Sequence, residues 1–156
     1  MSPRKILVKK YLRKHPKTPE TVVRSALNEL RRLKADKNLK HVCRLQVTDE
    51  DSQIMAANGL GFRRRACTVA NIETGDVHDE VEAAVTIYHE SLHAKDIADK
   101  GIKGISKANE IAAHQKTIEF LRDWQSKEQR QGIQRRLKEE VEEEQQSIRI
   151  LQAQKD

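Results

Sequence analysis

The stretch DEVEAAVTIYHESLHAKDIAD, residues 79–99, governs the reading of this 156-residue chain. Val81, Ala84, Val85, Tyr88 and Leu92 recur at three- and four-residue spacings, the period of a helix with one apolar face. That period predicts a helix from Asp79 to about Asp99, interrupted at Gly101 and Gly104. Inside it stand His89, Glu90 and His93, in the order HExxH. Residues four apart lie on one side of a helix, so both imidazoles can reach a single tetrahedral metal ion while Glu90 is directed toward the water such an ion would hold. Zinc brings the pKa of its water to about 7, and a neighbouring carboxylate then serves as general base. The competing reading makes His89 and His93 ordinary surface or core histidines of a charged helix.

This stretch resembles the zincin metallopeptidases, whose active-site helix carries HExxH. The resemblance covers Asp79 to about Trp124, and it implies a zinc metalloendopeptidase acting on a protein or peptide substrate, with Zn2+ as cofactor and Glu90 as general base. Downstream, Asn109-Glu110-Ile111-Ala112-Ala113-His114 is similar to the gluzincin helix, in which a glutamate ligand follows an asparagine. That likeness implies His89, His93 and Glu110 as ligands, on two helices that fold back across Gly101 and Gly104. His114 stands where the familiar pattern has an aspartate supporting the site. The departure leaves the order of ligands open, because His114 could itself bind the metal with Glu110 behind it. A metzincin spacing would make Asp99 the ligand instead. Asp96 then occupies the position of the required glycine, so the helix continues and turns Asp99 away from the His89–His93 face.

A peptidase must also stabilise the oxyanion of its tetrahedral intermediate. No His or Tyr follows His114, which leaves His78, Tyr11 and Arg122 as candidates, with Tyr88 assigned to the core. A strand from Cys67 to Ile72 could offer an edge to an extended substrate, or it is an ordinary core strand.

Around this centre the sequence predicts an α+β fold: a small two- to three-stranded sheet, the HExxH helix, a second ligand helix, a basic helical N-terminus and a long polar C-terminal helix. The organisation expected is a basic helical head at 1–38, a zincin-like catalytic domain at 39–124 and a polar helix at 125–156. In the head, Ile6, Leu7, Tyr11 and Leu12 suggest a first short helix. Thr18-Pro19-Glu20 is a start signal for a second, reaching about Lys34 with Val22, Val23, Ala26, Leu27 and Leu30 on one face. Cys43, Leu45 and Val47 alternate with polar neighbours, as in a half-buried strand. Asp49 to Gly61 reads as a loop or short helix, Ala66 to Ile72 as a second strand and Glu73 to Asp76 as a turn. Ser106 is a helix cap. In the last segment Leu137, Val141, Ile148 and Leu151 approach a heptad seam that Glu144 interrupts.

Composition limits the alternatives. Apolar residues make up 37% of the chain and charged residues 35%, with one Trp, two Tyr and two Phe, so any core is aliphatic and modest. The longest apolar runs fall far short of the roughly 20 residues that span a bilayer. With no apolar signal segment in the first residues, the expected location is cytoplasmic. Cys43 and Cys67 are not closely spaced, which suits buried reduced thiols better than a disulfide framework. Residues 1–44 hold 14 Lys and Arg against 3 acids, a balance of +11, whereas 45–124 balance at −5 and 125–156 at zero. Nucleic-acid contact would therefore be made by residues 1–44, although a solvated charged face explains the same pattern. Arg63-Arg64-Arg65 has no interleaved aromatic and offers no stacking surface for single strands. Two readings stand beside the peptidase. One is a DNA-associated SprT-like protease. The other is a non-catalytic nucleic-acid-binding or coiled-coil interaction protein that meets a partner, or itself, through 125–156.

Overall fold

The computed structural model describes residues 19–48, 53–58, 68–73, 78–100 and 106–154. They fall into two compact units, one ending at Gly101 and the other beginning at Ile102. The first head helix, Tyr11, Cys67, the Arg63–Arg65 run, the turn after Glu73 and the Gly101 and Gly104 break lie outside the described residues.

The expected α+β class, with a sheet as its platform, is corrected. Where side chains are described the chain is 86% helical, in four helices, with no strand or sheet in that part. The reason lies in the core. Nearly all the buried apolar side chains come from helices, and the extended segments contribute Val42 and Leu45 alone. What these segments add is backbone pairing. β1 (Val42–Thr48) runs antiparallel to β2 (Gln53–Asn58) and parallel to β3 (Thr68–Glu73), in the order β2-β1-β3. β2 also corrects the loop or short helix expected over Asp49 to Gly61. Its run of Ile54, Met55, Ala56 and Ala57 lacks alternation, and so short an apolar run does not tell strand from helix by period.

In the first unit, α1 (Pro19–Arg32) buries Val22, Val23, Ala26, Leu27 and Leu30 on one stripe and packs against α2 (Glu80–Lys100). Fourteen residues are marginal as an isolated helix, so this packing is what holds α1 in place. Each fully buried Leu or Val contributes about 1.5–3 kcal/mol of transfer free energy. The helix ends in a Schellman turn: Ala35 N–H donates to the Leu30 carbonyl at 2.8 Å and Lys34 N–H to that of Arg31 at 3.1 Å. Lys34 takes the left-handed conformation that closes it, φ 57°. A 3₁₀ turn at Lys37–His41 then buries Leu39 against α2. α2 meets it with Val81, Ala83, Ala84, Val85, Ile87, Leu92 and Ala94 buried. Apolar contact over so much of its circumference makes α2 a central rather than a surface helix.

The second unit is a helical hairpin of α3 (Lys107–Lys127) and α4 (Gln131–Ala153). Ser106 caps α3, its hydroxyl accepting the Asn109 N–H at 3.1 Å. The helices run antiparallel: Lys107 donates to the carbonyl of Gln154, and Gln134 to that of Gln125. Ala113, Thr117, Ile118, Phe120, Leu121 and Trp124 are buried along α3, and Leu137, Glu140, Val141 and Glu144 along α4. Glu128 ties the connection together. It accepts the indole N–H of Trp124 at 3.2 Å, the backbone N–H of Gln129 at 3.1 Å and the guanidinium of Arg130 at 2.6 Å. The Arg130 hydrogen bond, helped by those from Trp124 and the backbone, pulls its carboxyl down to about 2. Among the described residues no helix is long and apolar enough to cross a membrane.

Candidate metal site

The HExxH residues occupy the middle of α2. His93 is buried and His89 and Glu90 are half-buried. The Nε2 atoms of His89 and His93 lie 2.9 Å apart, and the two rings stand edge to face at 83° with centroids 4.6 Å apart. One turn of helix separates the residues, so this convergence follows from the four-residue spacing. Glu90 precedes His93 by three positions and shares its side of the helix. The donor chemistry fits a metal ion, since imidazole nitrogen is a common ligand for zinc and its neighbours in the first row. Two nitrogens bound to one tetrahedral zinc stand about 3.3 Å apart, so opening the observed pair by a few tenths of an ångström would admit the ion.

α2 continues unbroken through Asp96 and Asp99 to Lys100. Asp99 is exposed and accepts a hydrogen bond from Lys95 at 2.9 Å, which, ahead of the charge attraction, holds its carboxyl below the usual range. That arrangement employs Asp99 on the helix surface.

Ahead of α2, His78 and Glu82 form a second imidazole contact. Both are buried, and His78 Nδ1–H donates to the Glu82 carboxylate at 2.8 Å. The Glu82 N–H in turn donates to Asp79 Oδ1 at 2.8 Å, a side-chain cap on the first turn. Of the oxyanion candidates, then, His78 has one ring nitrogen engaged by Glu82, Arg122 is exposed on α3, and Tyr11 lies outside the described residues. Tyr88, assigned to the core, is half-buried.

Glu110 and His114 belong to α3, in the second unit, four residues apart. His114 Nε2 is 3.7 Å from Glu110 Oε1, while Nδ1–H donates to Glu144 Oε2 of α4. The hydrogen bond to Glu144 raises the His114 pKa above its ordinary value, against an opposing effect of burial. The motif reading missed Glu144. Its one visible signal was the acid at a position where the α4 seam expects an aliphatic side chain.

Comparison with protein families, with curated proteins and with solved structures finds no match. The zincin resemblance therefore rests on the residues themselves.

Proposed function

We propose that the chain is a zinc-dependent metallopeptidase in which His89, His93 and Glu110 hold the metal, Glu90 is the general base and His114 supports the site or replaces Glu110 as ligand. The observation that favours this reading is the 2.9 Å approach of the two Nε2 atoms on α2. Imidazole nitrogens so close are stabilised either by a proton passed between them or by a cation they share. A bound zinc would polarise the scissile carbonyl and acidify the attacking water. Glu90 would take the proton of that water and deliver it to the leaving amine, as a carboxylate beside the reacting atoms does in general acid–base catalysis. The substrate class is a protein or peptide, and the cytoplasmic location expected from the sequence belongs to the same proposal.

Elemental analysis of the purified chain tests it, beside Glu90→Gln, His93→Ala and Glu110→Ala. About one zinc per chain is expected, kept by Glu90→Gln and lost or weakened in the other two. No bound metal after zinc addition would reject the peptidase. The +11 balance of residues 1–44 would then favour a nucleic-acid-binding protein, recognised by DNA affinity that falls steeply with salt.

A further inference from the structure

Glu144 is chemically out of keeping with its place in α4. The face formed by Leu137, Glu140, Val141 and Glu144 is buried and continues through half-buried Ile148 and Leu151. Position 144 is thus one where the packing period calls for an aliphatic side chain. Glu140, the other acid on that face, is held by Arg136 of the preceding turn at 2.9 Å. Glu144 instead reaches across the hairpin and accepts the Nδ1–H of His114. A carboxylate at Nδ1 fixes which nitrogen carries the proton and how the ring is turned. The other nitrogen, Nε2, consequently points to the side where Glu110 lies, at 3.7 Å.

We infer that Glu144 is a positioning residue of the metal site. From the C-terminal helix it sets the His114 ring so that Nε2 faces Glu110, the arrangement needed whether His114 supports that carboxylate or binds the cation itself. The inference rests on the zinc reading above. It gives α4 a part in the site, where the sequence suggested only association. Carboxylates behind a ligand or its immediate support commonly alter metal affinity about 10–100-fold when removed. A pair serving only to peg two helices together would have no such effect.

The test uses the full chain with zinc alone as the probe. Affinity is measured by competition with a chromophoric chelator, apo melting by circular dichroism and the His114 ring by nitrogen chemical shifts. Glu144→Leu completes the aliphatic seam, so the apo melting temperature should hold or rise while zinc binding weakens about 10–100-fold. Glu144→Gln keeps an oxygen that can accept the Nδ1 proton and should recover part of the affinity. Should Glu144→Leu fail to fold, Glu144→Ala is read in the same way. One zinc bound equally well by wild type and Glu144→Leu would overturn the role of Glu144 and leave the zinc reading standing. A His114 proton on Nε2 rather than Nδ1 in the metal-free wild type would also overturn it. No zinc bound by the wild type would overturn the zinc reading itself and this inference with it.

Discussion

Two imidazole contacts flank the first half of α2, each made across four residues and nearly equal in length, and they differ in chemistry. At the start of the helix His78 meets a carboxylate, Glu82, at 2.8 Å, and at its middle His89 meets a second imidazole, His93, at 2.9 Å. The first pairing joins a donor to an acceptor and is complete in itself. The second brings together two groups that are alike, which is stable only with something positive between them. Equal spacing and equal distance thus produce a structural lock in one place and a candidate metal site in the other.

The largest effect should come from breaking the second contact. His89→Ala combined with His93→Ala should abolish stoichiometric zinc, removing binding free energy on the order of 10 kcal/mol, while His78→Ala should leave the metal content unchanged. Elemental analysis of the three proteins checks this, and equal zinc in all of them would contradict it. Breaking the first contact should act on stability instead. His78→Ala leaves the buried Glu82 carboxylate short of a donor and should cost about 3 kcal/mol in chemical denaturation, whereas His89→Ala should cost less.

A third contrast lies in the hairpin. Glu128 has its carboxyl depressed from 4.5 to about 2, so the stabilisation it provides is fully present above pH 4.5 and is lost as pH falls from there through about 2. Glu128→Gln should cost about 1 kcal/mol at pH 7 and flatten that acid limb, as followed by the thermal melting of the two proteins between pH 5 and pH 2. The smallest effect concerns the end of α1. Lys34 is exposed at φ 57°, a conformation glycine adopts without penalty, so Lys34→Gly should raise stability by about 0.5–1 kcal/mol in the same denaturation assay.

The helices were legible because their signals are local. Apolar spacing marked α1 and α2, Pro19 and Ser106 marked two starts, and HExxH needs only one turn of helix to bring its histidines together. The class of the fold was misjudged for the opposite reason. Alternation around Leu45 reports how a few residues run, but not whether a sheet or helices will supply the core. Glu144 escaped notice on similar grounds, since its partner His114 is 30 residues away and only the antiparallel register of α3 and α4 makes them neighbours. The sequence marked Glu144 as a flaw in a seam, and the structure gives that flaw a partner.

The three-residue connection between α3 and α4 also bears on the order of folding events. Helices joined by so short a link find each other with little loop-closure entropy, and hairpins of this kind form on the microsecond to millisecond scale. β1 and β3, by contrast, pair in parallel across an intervening strand, from Val42 with Thr68 to Thr48 with Glu73, and contacts so distant in sequence are slow to nucleate. The part of the chain made last is therefore the quicker to assemble, and the HExxH helix belongs to the slower unit.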